Sequence, residues 1–267
     1  MEGYYIIRTY ESGNVGEKIK FWAPGKKPDR MTRKAQSDAA QITRNERNSV
    51  RALARIINAN FSEGDCFALL TYDDKGLQKL ADRIGPKPFY SSDDILAAAD
   101  AELTNFFRRV NRELDKRGLP HVKSVSINSD MDGETGRSVR VHHHVLVPKE
   151  AEELIRKKWT AGNVSTEALS SQDDYTPIAD YLLKQIRRKP NEAGWRTSRG
   201  NIVRPVPVDR IARGDGIIRV PTGAQIIFMS QVQRYDNGNS PQYVRYSLPA
   251  RRRKKNKKPI PECGEGE

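Results

Sequence analysis

Ten consecutive residues, Ser138-Val-Arg-Val-His-His-His-Val-Leu-Val147, constrain the fold more than any other stretch of the chain. They are rich in valine and read as a strand, along which side chains alternate between two faces. One face is Val139, Val141, His143, Val145 and Val147; the other is Ser138, Arg140, His142, His144 and Leu146. The first is a core face in which His143 fills an apolar slot. The second sets two imidazoles and a guanidinium side by side. Neutral imidazoles two positions apart on a strand converge on one divalent ion, with one or two further ligands completing the shell. The plain alternative is a half-buried strand whose histidines bond to their neighbours.

The preceding strand, read over His121–Asn128, bears on the missing ligand. Val125 and Ile127 share one parity and are expected to face the core. Ser124, Ser126, Asn128 and Asp130 share the other and are expected on the metal side. Asp130 is the first candidate for a third ligand and Asn128 the second, with Glu134 in the turn-rich MDGETG loop as a rival.

A second constellation follows in Tyr175-Thr-Pro-Ile-Ala-Asp-Tyr-Leu-Leu-Lys-Gln-Ile-Arg-Arg188. Pro177 suits a first helical turn, with Thr176 before it as a cap. Ile178, Leu182, Gln185 and Ile186 mark the packing stripe, and Tyr181, Lys184 and Arg188 form a neighbouring one. A phenol has a pKa near 10. It attacks poorly unless its target is polarised or cations lie close, and Lys184 is placed to lower that pKa or to hold a phosphate.

Charge gives the partner class. Lys and Arg number 47 against 34 Asp and Glu, a net charge of +13 in 267 residues. A surface that basic attracts polyanions, nucleic acid above all. Seven cations fall between Arg251 and Lys258, followed by Glu262, Glu265 and Glu267; this segment reads as a disordered tail and phosphate tether. Without it, residues 1–250 are still basic. No apolar run is long enough to span a membrane, and the first residues do not read as a signal peptide. Cys66 and Cys263 alone make neither a disulfide framework nor a zinc knuckle, so a reducing compartment is expected.

Along the chain, Tyr4–Thr9 and Lys18–Ala23 read as a strand pair turning at Gly13 and Gly16, and Lys26–Asn60 as one or two basic helices. Phe67–Tyr72 is apolar on both faces and reads as a central strand that Asp73, Asp74 and Gly76 end. Ser91 caps a helix running to Lys116. A short helix spans Glu150–Lys158, and Gly216–Val220, Gln225–Tyr235 and Gln242–Ser247 read as strands. The order argues for an α+β fold with a largely antiparallel sheet.

Together, His142-His143-His144 on a strand and Tyr181-Leu-Leu-Lys184 on a helix resemble the HUH endonucleases, the rolling-circle replication initiators. The nearest likeness is to the filamentous-phage gene II-type branch. Phe67–Tyr72 resembles that branch's first strand motif, Trp159-Thr-Ala-Gly162 a W-x-x-G between its histidines and tyrosine, and Trp195–Pro205 its post-tyrosine segment. Members often carry a Glu at the end of the strand before the histidines, where this chain has Ser129. The resemblance covers about residues 64–206.

It implies a central, ferredoxin- or RRM-like antiparallel sheet of about five strands with packed helices and the histidine strand in the middle. The division would be a strand pair and basic helices (1–62), a nicking domain (63–206), a β-rich extension (207–250) and the tail (251–267). It further implies Mg²⁺ or Mn²⁺ on His142 and His144. Tyr181 would attack a phosphodiester of single-stranded DNA at a replication origin, leaving a 5′-phosphotyrosine and a free 3′-OH, with Lys184 as its helper. Arg140, Arg187, Arg188, Arg196 and Arg199 are the candidates for backbone contacts. A host helicase and polymerase would be partners, since no P-loop is present, and the setting would be a bacterial cytoplasm. A mobilisation relaxase or single-strand transposase shares this chemistry; a non-catalytic nucleic-acid-binding protein and a two-metal hydrolase are the other readings.

Overall fold

The computed structural model describes residues 3–23, 39–171, 173–186, 194–212, 217–230 and 241–249. The fold is α+β, with two five-stranded antiparallel sheets and five α-helices among the described residues. The chain divides into two compact units: residues 1–38 with 205–267, and residues 39–204.

The larger unit is built on β3 (Cys66–Thr71), β4 (Val125–Met131), β5 (Ser138–Val147), β6 (Val164–Ala168) and β7 (Arg196–Thr197), in the order β6-β3-β5-β4-β7. The histidine strand β5 is central, as expected. Helices cover both faces. On one, α2 (Asp74–Ile84), α3 (Ser92–Lys116) and α4 (Glu152–Lys158) bury Ala68, Leu70, Val141, Val145 and Val147 against Leu103, Phe106 and Ile155. On the other, α1 (Ala39–Asn60) and α5 (Thr176–Lys184) bury Leu146, Val125 and Ile127 against Leu53, Ile57 and Leu182. Each fully buried Leu, Ile or Phe stabilises the unit by about 1.5–3 kcal/mol.

Local signals set the boundaries. Ser91 and Asp94 form a reciprocal capping box that starts α3. Helix α2 was not expected, because Asp73 and Asp74 read as the end of a strand. They do end it, but the Asp73 carboxylate also accepts from Gly76 N at 2.6 Å and so caps the next helix. The Trp159-x-x-Gly162 turn wraps the end of β3. The Trp159 indole donates to Thr71 O at 3.0 Å, and a Cβ on Gly162 would lie 2.1 Å from that same carbonyl oxygen, so only glycine fits.

The smaller unit is one sheet of β1 (Tyr4–Ser12), β2 (Val15–Ala23), β8 (Val208–Ile211), β9 (Gln225–Met229) and β10 (Gln242–Ser247), in the order β8-β1-β2-β10-β9. The expected separate blocks at the two ends of the chain are therefore one unit, because β10 pairs with β2. The 1–62 grouping does not hold, since α1 belongs to the larger unit. Gly16 lies within β2 rather than in the turn, and residues 217–220 are irregular where a strand was expected. Residues 231–235 and the tail lie outside the described residues.

Candidate active site

Strand register decides which side chains share a face with the imidazoles. Leu69 lies opposite His144 and Thr71 opposite His142 on β3; on β4, Ile127 lies opposite His144 and Ser129 opposite His142. Directly opposed residues point to the same side of a sheet. The expected parity of β4 is thus reversed: Ser126 and Asn128 pair with Val145 and His143 and face α3, where Asn128 Nδ2 donates to Leu96 O at 2.7 Å.

His143 is a core residue, as expected. It is fully buried and its Nε2 lies 2.8 Å from the Tyr72 hydroxyl. Burial, with its two histidine neighbours, lowers its pKa to about 3, so it is neutral.

His142 and His144 line an open cleft of about 360 Å³ with Thr71, Arg140, Tyr181 and Gln185. Their ring centroids are 5.0 Å apart. The His144 ring stacks on Phe67 at 5.6 Å, and Tyr181 stands edge-on to it at 5.6 Å. Burial lowers the His144 pKa to about 4, and neither of its buried ring nitrogens has a hydrogen-bond partner among the described residues. An unsatisfied buried polar group costs about 1–3 kcal/mol. His142 Nδ1 lies 3.0 Å from Arg140 O; a proton on Nδ1 satisfies that contact and leaves a lone pair on Nε2.

Helix α5 brings Tyr181 to this face. Ala179, Leu182 and Leu183 are buried beneath it, which turns Tyr181, 42% exposed, over Phe67 and His144. The Ser129 hydroxyl donates to Gln185 O, and Gly133 N donates to Gln185 Oε1 at 3.0 Å, tying the helix end to the β4–β5 hairpin. Tyr175 is no second nucleophile in this cleft: it is buried and its hydroxyl donates to Ser170 O at 3.1 Å.

Several expected participants lie elsewhere. Asp130 is bonded by the Ser92 hydroxyl at the start of α3, away from the imidazoles, and does not complete a metal shell. The physical reason is the reversed parity, together with a register shift between Ser129 and Met131. Lys184 does not line the cleft: its ammonium pairs with Asp180, one turn back, at 2.7 Å. The expected depression of the Tyr181 pKa is also reversed. Burial pushes it above its ordinary value, and Asp132, Glu134 and Glu167 push the same way. Arg196 pairs with Asp100 of α3 at 2.5 Å on the opposite face. Arg140 does line the cleft, paired with Asp74 at 3.1 Å and donating to Tyr72 O at 3.3 Å. Arg199 is exposed in the loop after β7, and Arg187 and Arg188 lie outside the described residues.

Glu134, the rival third ligand, lines the cleft, and so does Asp132, which sequence reasoning missed. Asp132 accepts from Thr135 N at 2.8 Å and Glu134 N at 2.9 Å, and these backbone bonds hold its pKa below the ordinary carboxylate value. An Asp opening a Gly-rich loop was the available signal.

Among the described residues, no third His, Cys, Asp or Glu closes on the imidazole pair. The pair fits two positions of a metal shell. Two imidazoles without a close carboxylate suit a transition ion better than Mg²⁺, which prefers oxygen ligands.

No family model matches this chain, and neither a curated protein nor a solved structure matches it.

Proposed function

We propose that the larger unit is a metal-assisted nicking and joining endonuclease of HUH type that acts on single-stranded DNA through Tyr181, as in rolling-circle initiation. The observation that carries this reading is the meeting of an exposed phenol with a partnerless, neutral imidazole on one open face. His143, the core histidine of the same strand, is held through Nε2 by Tyr72 and does not line the cleft. Here the chain holds His144 unsatisfied beside a group able to attack phosphorus.

His142 and His144 are the residues that would hold a divalent ion, Mn²⁺ ahead of Mg²⁺. Such an ion supplies charge for a phosphate and lowers the cost of ionising a phenol beside it. The protein alone does the reverse to Tyr181, raising its pKa by burial, so a bound ion would be what assists its ionisation. In the reaction the Tyr181 oxygen forms a bond to phosphorus and the bond from phosphorus to the 3′ oxygen breaks. The phenol proton is lost and the leaving 3′ oxygen gains one, giving a 5′-phosphotyrosine and a 3′-OH. The reverse reaction rejoins strands. Arg140 lines the cleft and would meet the DNA backbone there. The 3′-OH would serve a host polymerase, with a host helicase opening the duplex.

Incubation with a pool of end-labelled single-stranded oligonucleotides and Mn²⁺ tests the proposal. A covalent adduct is expected that vanishes with Tyr181→Phe and with a chelator. Stable binding of the pool without any adduct would leave only a non-catalytic DNA-binding role. An adduct surviving Tyr181→Phe would remove Tyr181 as nucleophile.

A further inference from the structure

The residues of the smaller unit hold part of the net charge of +13, most of it in residues 24–38 and 251–267, outside the described residues. Its sheet also displays large side chains that a solitary fold would bury. Register puts Tyr5 opposite Trp22, and Ile7 opposite both Lys20 and Arg210, so Tyr5, Trp22, Lys20 and Arg210 share one face. Trp22 is 41% exposed. It is nonetheless held: Tyr5 stands edge-on to it at 5.0 Å, and a Cβ on Gly3 would lie 2.4 Å from the indole, so the backbone of Gly3 packs against the ring. The Lys20 ammonium sits 4.4 Å from the Tyr5 ring centroid, a cation–π contact that fixes positive charge beside the aromatic pair. Arg210 is exposed on the neighbouring strand.

An apolar ring that is both exposed and immobilised costs the protein hydration free energy and gains nothing in its own core. It suits a partner with flat apolar faces. A cationic surround requires that partner to be anionic. Single-stranded nucleic acid joins those two properties in every nucleotide, and sheets that pair aromatic rings with cations bind it by stacking, with little regard to sequence.

We infer that this face of the smaller unit is a second, sequence-tolerant binding site for single-stranded nucleic acid, with Trp22 as the stacking platform, Arg210 as a phosphate contact and the buried Lys20 as fixed positive charge beneath the rings. It is independent of the cleft chemistry: it needs neither Tyr181 nor a metal ion.

The test uses the full chain without metal, titrated with oligo(dT) of about 20 nucleotides while anisotropy and tryptophan emission are followed. Trp159 is buried and Trp195 half-buried, so the quenching that the Trp22 substitutions remove, rather than the total signal, reports on the exposed indole. Trp22→Ala is expected to weaken binding about tenfold or more and to remove most of the quenching. Trp22→Phe, which keeps a stacking ring, is expected to recover much of the affinity, and it carries the test if the alanine variant fails to fold. Arg210→Gln is expected to make the slope of log affinity against log salt about 0.7 shallower. Equal affinity and quenching in the wild-type and Trp22 variants would overturn the proposal. Heparin competing for the protein while the Trp22 variants bind oligo(dT) as the wild type does would reduce the face to non-specific charge. The adduct assay on the same proteins separates the two proposals: wild-type protein that binds oligo(dT) through Trp22 but forms no adduct leaves this face standing and removes the nicking reading alone.

Discussion

The two faces of the central sheet treat adjacent histidines on one strand in opposite ways. On the α3 face, His143 is sealed from water and bonded through Nε2 to the Tyr72 hydroxyl at 2.8 Å, while its Nδ1 has no partner among the described residues. On the α5 face, His144 is nearly as buried, yet neither of its ring nitrogens has a partner among the described residues. Both imidazoles are neutral for the same reason, burial. What separates the two rings is that Tyr72 holds one through Nε2 away from the cleft, while the other lines the cleft. A bonded ring nitrogen stabilises the fold, whereas each buried one left without a partner costs about 1–3 kcal/mol.

That contrast yields graded expectations. The largest is on chemistry. His142→Ala is expected to cut covalent adduct formation by about 100-fold or more, while the urea midpoint stays near the wild-type value because the ring is only half-buried and lines an open cleft. Unchanged adduct yield would place the reaction elsewhere. The next is on stability. His143→Ala is expected to cost about 2–4 kcal/mol by urea unfolding, from the cavity and from the orphaned Tyr72 hydroxyl. A midpoint that does not move would erase the distinction between the faces.

A third expectation concerns pH. The folded-state pKa values of His143 and His144, about 3 and about 4, lie below the ordinary value of 6.5. The unfolded chain therefore binds more protons between these limits. Stability from keeping the rings neutral is complete above about pH 6.5 and lost as pH falls towards 4. The urea midpoint should drop across that window, and less steeply in His144→Asn. The smallest expectation is Lys184→Ala: an exposed pair with Asp180 contributes under about 1 kcal/mol, and adduct yield should hold within about threefold of wild type. A loss as deep as that of His142→Ala would return Lys184 to the reaction despite its position.

Much of the larger unit was legible in its sequence. The ten-residue alternation of β5, the Ser91 cap of α3 and the Pro177 start of α5 are local signals, and local physics is sufficient to produce them. The imidazole pair and Tyr181 were legible for the same reason. Asp130 and Lys184 were not. β4 is covered on both faces, so its apolar pattern cannot report which side Asp130 takes, and the register shift after Ser129 depends on pairing with β5. Lys184 lies three positions from Tyr181, but Asp180, four positions back, competes for its charge. The pairing of β2 with β10 joins residues over two hundred positions apart and leaves no mark in either segment alone.

The most direct measurement is peptide mapping of the covalent protein–DNA adduct by mass spectrometry after nuclease trimming. The phosphonucleotide is expected on the peptide containing Tyr181. Attachment at Tyr175 or at any residue outside the α5 face of the sheet would contradict the assignment of that face as the site of chemistry.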